Sequence, residues 1–394
     1  MEKSDLITMK AKEYRTLTAQ YLSRLVKQKS LSTKEENVAK ELKSLMEEVC
    51  FDEVRIDGLG NIIGRIGSGK KIIAIDGHID TVDTGNLESW SIPPFEGKID
   101  DEYVYGRGTV DQKGGVAAFV TAGKILKEIG LTNDATIYFI GSVMEEDCDG
   151  LCWKYIIEED KIKPDCVIIT EPTNTNIYRG HRGRMEAEIS FYGISAHGSA
   201  PERGKNAIYM ASRTALEIEK LNGILLYDDF LGKGSVTVTE FISSSPSLCA
   251  VADFAKIHLD RRLTWGEDKN IALKQFEDIA NKFKQKTILP EYKETSYTGI
   301  EYGMEKYFPT WKLEEDNAII IKGVETYTRL FNDKPVIDKW TFSTNGVVIN
   351  GIYKIPAIGF GPGDEALAHA PNEKIPIEHL EKASAFYALF CEIF

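Results

Sequence analysis

A chain of 394 residues that is 42% hydrophobic and 28% charged is long enough for two or three domains with substantial cores. Its formal net charge of -13 argues against nucleic acid or an anionic membrane as the main partner. No apolar run approaches the ~20 residues that a bilayer span requires, and Met1-Glu2-Lys3-Ser4-Asp5 carries no secretory apolar core, so the expectation is a cytoplasmic protein.

The cysteines Cys50, Cys148, Cys152, Cys166, Cys249 and Cys391 are scattered through the chain, which predicts reduced thiols and no disulfide framework. Cys148 and Cys152 form a C-x3-C pair beside two glutamates. Because C-x2-C is the stronger redox or zinc signature, this pair reads as buried or incidental thiols, with a thiol-based redox sensor as the competing reading.

In chain order, the segment 12–45 has helical spacing, with Leu17, Tyr21, Leu25 and Val26 on one apolar stripe and Val38, Leu42, Leu45 and Met46 on the next. Ser32 or Thr33 is expected to cap the second helix, with Glu35 or Glu36 completing a capping box. Alternation over 54–66, broken at Asp57-Gly58 and Gly60-Asn61, predicts a hairpin. The continuous apolar run 71–76 predicts a strand buried on both faces. Gly64, Gly69 and Lys70 match the G-x4-G-K core of a phosphate loop. Lys71 stands where a hydroxyl should follow, however, and a strand follows where a helix N-terminus is needed, so nucleotide binding is not expected.

That strand empties into Gly77-His78-Ile79-Asp80-Thr81. In extended chain His78 and Asp80 share a face, so the carboxylate can orient an imidazole that binds a metal; a capped turn with a satisfied His reads equally well. The glycine-rich stretch 106–115 carries Asp111 and precedes the apolar run 116–126, as in a loop that leaves a strand and feeds a helix. A further strand, 135–143, ends in Met144-Glu145-Glu146-Asp147, followed by a helix over 153–159. Another, 166–170, ends in Glu171-Pro172-Thr173. Adjacent carboxylates at such exits can divide labour, one on a metal and one receiving a proton. Each acid alone reads as a solvated turn or helix cap, but three strand exits and the Asp111 loop together make chance turns the poorer explanation.

From Met185 the texture becomes β-α-β-β-α: an alternating strand 186–192, a helix 206–221, strands 234–243 and 254–259, a helix 271–283 and a strand near 287–294. Residues 184–297 therefore form an expected inserted second domain between the two parts of the first, 1–183 and 298–394. The second part carries a helix at 318–330, a turn-rich segment 340–351, a strand 355–360, the loop Gly361-Pro362-Gly363 and a last helix 379–394.

The set G-H-I-D-T at 77–81, G-R-G-x-x-D-x-K-G-G at 106–115, E-E at 145–146, E-P at 171–172, S-A-H-G-S-A-P at 195–201 and A-H-A-P-N-E at 368–373 resembles the M20 metallopeptidases across essentially the whole chain. These co-catalytic zinc enzymes include acetylornithine deacetylase, succinyl-diaminopimelate desuccinylase, carboxypeptidase G2 and aminoacylase. The longer runs 145–153, 260–267 and 339–345 are similar to the selenium-metabolism-linked, YgeY-like branch.

The resemblance implies an α/β catalytic domain with a central mixed sheet flanked by helices, plus an inserted α+β, ferredoxin-like lid and dimerisation domain. It implies that Asp111 bridges two divalent ions, zinc first and cobalt or manganese as alternatives, with His78 and Glu171 on one and Glu146 and His369 on the other. Asp80 would orient His78, and Glu145 would serve as general base and acid. His197 would reach the oxyanion, from a partner subunit if the protein is a homodimer through the inserted domain. Arg261 or Arg262 and the Gly361 loop would clamp a substrate carboxylate. Strand alternation lets only one arginine face inward, and Arg262 is the expected one. Asn345, in Ser343-Thr344-Asn345-Gly346 where relatives have a more glycine-rich turn, is the remaining expected substrate contact. The basic run 179–184 could hold an acidic substrate or merely neutralise carboxylates. The expected reaction is hydrolysis of an amide in an N-acyl amino acid or similar small molecule. The competing readings are a dipeptidase or carbamoyl-amide hydrolase, and a metal-binding protein without catalysis.

Overall fold

The computed structural model describes residues 2–131, 134–283 and 285–394. Its main sheet runs, in spatial order, Glu53–Ile56, Ile62–Gly67, Ala135–Ser142, Lys71–His78, Cys166–Ile169, Ala357–Gly359, Ile177–Tyr178 and Ile337–Asp338. The first two strands are the expected hairpin, paired antiparallel from Glu53 opposite Arg65 to Ile56 opposite Ile62. The middle four are mutually parallel, so their carboxyl ends share one edge. These strands are rich in Ile, Val and Ala and largely buried because helices cover the sheet. The helix Lys113–Ile129, buried over most of its length, packs against the last helix, Ile377–Ile393.

The strand at 71–76 runs on to His78; Gly64 lies inside the strand Ile62–Gly67, and Gly69 and Lys70 lie at the turn to the next strand, with no helix for a phosphate to meet. Cys148 and Cys152 are buried, free thiols. Among the described residues no helix is long and apolar enough to cross a membrane.

Several local expectations are corrected. The N-terminal helical region contains three helices, Lys3–Glu13, Arg15–Val26 and Glu36–Glu48, and no capping box forms at the third. Ser32 Oγ instead donates to Asp80 Oδ2 at 2.7 Å, and Glu35 Oε1 accepts from the Thr33 and Met144 amides at 2.9 and 3.1 Å. The capping residues serve tertiary partners. The strand near 287–294 is two pieces separated by Leu289-Pro290: Thr287–Ile288 joins the second sheet, while Glu291–Thr295 hairpins with Glu301–Glu305. Proline has no amide to continue a ladder.

A second hydrophobic core lies within 185–280. Its sheet has Ser235–Ser244, Phe254–Leu263 and Gly183–Tyr192 in antiparallel order, with Tyr307–Phe308 also paired to the last. Met185, Ala187, Ile189 and Phe191 alternate inward with Ala255, Ile257 and Leu259, under the helices Ala207–Leu221 and Lys269–Ala280. Asn206 caps the first of these, accepting from the Ile208 amide at 2.9 Å. Alternation puts Arg184, Glu186 and Glu188, with Arg262, Asp260 and His258, on the opposite face.

Candidate metal centre

The carboxyl edge of the parallel strands gathers the residues singled out in the sequence. His78 ends its strand with Nε2 2.8 Å from Asp111 Oδ1. His369 Nε2 lies 3.2 Å from Asp111 Oδ2 and 2.9 Å from Glu146 Oε2. Each oxygen of Asp111 thus faces a different imidazole. Glu171 Oε1 and Glu145 Oε2 stand 3.7 and 3.8 Å from His78 Nε2. Two overlapping groups, His78 with Glu145 and Glu171 and His78 with Asp111 and Glu146, bring their ligand atoms within 4.8 Å of one another. His78 Nδ1 is 2.9 Å from the Asp80 carbonyl oxygen and 3.4 Å from Asp80 Oδ1, so the backbone of Asp80 orients the ring at closer range than its carboxylate.

Without cations this cluster is electrostatically frustrated. Burial pulls His78 toward the neutral form, yet Glu145, Asp111, Asp80 and Glu171 outweigh it and hold its pKa well above the ordinary value. Burial, reinforced by neighbouring acids, pushes Glu145 and Glu171 well up, and Glu146 up to about 7. Burial opposes ionisation of Asp111 too, but His369 and His78 hold it below the usual carboxylate range. Hydrogen bonds to Asp111 and Glu146 raise His369 to about 10. Glu145 Oε1, Glu171 Oε2 and Asp80 Oδ1 are buried with no hydrogen-bond partner. Buried carboxylates in that state are costly unless a cation joins them, and these imidazole and carboxylate donors suit zinc, cobalt or manganese.

The loops are held by a buried pair that sequence reasoning left without a role. Glu373 Oε1 accepts from the Val110 and Asp111 amides at 2.7 and 3.2 Å, and its Oε2 from the Gly108 amide at 3.0 Å and Arg107 Nη1 at 2.8 Å. Arg107 also donates to the His369 carbonyl at 3.3 Å, tying both metal-facing loops together. The only sequence signal was that an arginine and an acid of opposite charge sat in two separate motifs. Glycine allows the closest approaches: a Cβ on Gly115 would lie 2.3 Å from Thr170 Oγ1, and one on Gly361 2.1 Å from the Glu171 carbonyl oxygen.

A cleft of about 350 Å³ opens from Asp111, Glu145, Glu146, Glu171 and His369 to Arg262, Arg184, Asp149 and Ser343. Arg261 points the other way, fully buried, with Nη2 2.6 Å from Glu267 Oε1. Other expected residues stand elsewhere. Asn345 is buried beneath the site; its Oδ1 accepts from the Gly150 amide at 2.8 Å and its Nδ2 donates to Asp76 Oδ2 at 2.8 Å, so neither end is left for a substrate. The Gly361 amide donates to Thr173 Oγ1 at 3.0 Å, because the loop packs on Glu171. His197 is exposed, with Nδ1 2.7 Å from Ser199 Oγ, and does not line the cleft. Ser343, two residues before Asn345, does line it.

Residues 74–393 match the model of Peptidase family M20/M25/M40. Over 385 residues the chain is 49% identical to protein YgeY of Escherichia coli (strain K12), spanning 97% of this chain and 96% of that protein. Its fold superposes on aminopeptidase PepT from Bacillus cereus ATCC 10987 with a TM-score of 0.73 at 20% identity, over 96% of this chain and 98% of that one. It also superposes on Bacillus subtilis YxeP, described as a dinuclear metal binding peptidase, with a TM-score of 0.70 at 17% identity, over 97% and 98% of the two chains. With the strand-edge cluster of imidazoles and carboxylates, these matches lead to one conclusion: the chain belongs to peptidase family M20 and is a hydrolase of that metal-dependent family.

Proposed function

We propose that the protein hydrolyses an amide bond of an N-acyl amino acid or a similar small carboxylate-bearing substrate, using two divalent ions held by His78, Asp111, Glu146, Glu171 and His369. The observation that carries this reading is Asp111, whose two oxygens each face one of the two histidines at 2.8 and 3.2 Å, with Glu171 buried and Glu146 half-buried around it. Bound there, such ions supply Lewis acidity toward the amide carbonyl and a water that ionises near neutral pH. Zinc is the first choice, with cobalt or manganese as alternatives.

Glu145 is close enough to count as a ligand, but its Oε1 is buried and unpartnered, which suits an atom that takes a proton from the attacking water and passes it to the leaving nitrogen. Arg262 at the far end of the cleft anchors a substrate carboxylate. The second core, within residues 184–297, acts as the lid and dimerisation unit. Its strand Ser235–Ser244 is an edge, with Phe241 and Ile242 exposed, and supports a homodimer in which His197 reaches the partner's cleft to stabilise the oxyanion. Free thiols suit a cytoplasmic setting.

The test is amine release from a panel of N-acetyl, N-succinyl, N-formyl and N-carbamoyl amino acids and dipeptides, with zinc-, cobalt- and manganese-loaded protein. Turnover that is lost in Glu145→Gln with metal retained supports the reading. Silence across the panel with metal bound overturns it in favour of a non-catalytic metal-binding role. For the dimer, mixing inactive Glu145→Gln with inactive His197→Ala subunits should restore about a quarter of wild-type activity, since each mixed dimer of twofold symmetry regains one complete site.

A further inference from the structure

The cleft contains a second guanidinium, Arg184, the last residue of the basic run 179–184. Arg184 and Arg262 are direct cross-strand partners on the face of the second sheet that lines the cleft. Like charges opposed across an antiparallel pair repel unless something sits between them. Arg262 already has an internal partner: its Nε and Nη2 lie 2.8 and 3.2 Å from the two oxygens of Asp260. Arg184 has none of that quality. Its nearest carboxylate oxygens are Asp149 Oδ1 at 3.4 Å and Glu186 Oε1 at 3.9 Å, and its Nε is buried with no acceptor.

Both acids are engaged elsewhere. Asp149 Oδ2 accepts from the Ser343 hydroxyl, and Glu186 Oε2 accepts from Lys306 Nζ at 2.9 Å and faces His258 Nε2 at 3.1 Å. The Arg184 guanidinium stacks over Phe308, 4.5 Å from the ring centroid, which holds the plane of its fork. A planar guanidinium held in place, half-buried and short of acceptors is prepared for a carboxylate that arrives from outside.

We propose that Arg184 is a substrate-binding residue, which with Arg262 makes a two-guanidinium subsite for a unit bearing two carboxylates. The proposal rests on the amide-hydrolase reading for the rest of the substrate, but the subsite itself can be tested without turnover. A cleft of about 350 Å³ is sized for a short diacid and not for a polymer.

The probes are glutarate and its monoamide, titrated by calorimetry into zinc-loaded wild-type, Arg184→Gln and Arg184→Lys protein at one salt concentration. The two probes share one carboxylate and differ only in the second, so any contribution of the ions to binding the shared carboxylate is common to the pair. Wild type should bind glutarate about tenfold or more tighter than the monoamide, because the amide leaves one fork half-paired. In Arg184→Gln the preference should fall to about threefold or less while monoamide affinity holds, and Arg184→Lys, which keeps the charge but not the fork, should fall between. No diacid preference in wild type overturns the proposal even if the Gln variant fails to fold; an equal preference in folded Arg184→Gln, with normal zinc content, overturns it too. Turnover of N-acetyl-glutamate against N-acetyl-glutamine separates the two readings. Active amides without a diacid preference sink the subsite alone, whereas a diacid preference with no amide turnover sinks the hydrolase reading alone.

Discussion

Replacing Glu373 with Gln should weaken metal binding at the proposed centre without unfolding the protein. The wild-type carboxylate accepts four hydrogen bonds, from Val110, Asp111 and Gly108 amides and from Arg107, at 2.7 to 3.2 Å. The amide keeps one accepting oxygen and turns its NH2 toward two donors. Two charge-assisted bonds are lost, each worth about 1.5–3 kcal/mol, so the local cost is about 3–6 kcal/mol. Only the part that displaces Asp111 and the His369 loop reaches the ions. Losses at such supporting residues typically weaken metal affinity by about 10–100-fold, or about 1.4–2.7 kcal/mol. The assay is competition of apo protein with a chromophoric zinc chelator, with circular dichroism as the control for fold. Zinc affinity within about threefold of wild type, in a folded variant, would refute the argument that this buried pair positions Asp111.

Three further outcomes follow from the geometry. In the proposed centre, metal binding would require His369, with a pKa near 10, to lose its proton, and Glu146, near 7, to be ionised. Apparent zinc affinity should therefore climb from pH 6 to 8, by about tenfold per unit for each proton released, and a flat profile would contradict the assigned ligands. His181 is buried with Nε2 accepting from Trp311 Nε1 at 2.7 Å and the Thr344 amide at 3.1 Å, and burial lowers its pKa to about 4. An unfolded histidine takes its proton near 6.5, so this contribution is complete above that pH and is lost as pH falls toward 4; its size is about 3 kcal/mol. Wild type should lose stability to urea over that window more steeply than His181→Gln, and parallel profiles would refute the assignment. Ser32→Ala removes the 2.7 Å hydrogen bond to Asp80 and should lower zinc affinity several-fold with little change in melting temperature; unchanged affinity would show that the hydroxyl does not position the His78 loop.

Hydrophobic patterning made most of the fold legible. Continuous apolar runs such as 71–76 and 166–170 read as buried parallel strands, and the stripe Val38, Leu42, Leu45 and Met46 as a helix face, because period and burial are local properties. Strand alternation requires Arg261 and Arg262 to face opposite ways without saying which faces inward, and the structure puts Arg262 at the cleft and Arg261 against Glu267. The acids at successive strand exits were legible as one site because parallel strands send their carboxyl ends to a common edge.

What sequence could not supply was the destination of polar side chains at loop ends. Ser32 and Glu35 have the spacing of a capping box, but the pull of Asp80 and the Met144 amide won, since a buried tertiary partner outweighs a local cap exposed to water. Asn345 and Gly361 sit in motifs beside the cleft, yet their donors and acceptors are satisfied inside the fold, while Ser343 and Arg184 face the opening. By itself, then, the sequence determined the strands, the helices and the set of acids and histidines that meet at the sheet edge, because these follow from periodicity and chain direction. The tertiary structure decided which guanidinium is left short of acceptors and which carboxylate holds the loops, because hydrogen-bond satisfaction between segments more than a hundred residues apart depends on packing that no local pattern encodes.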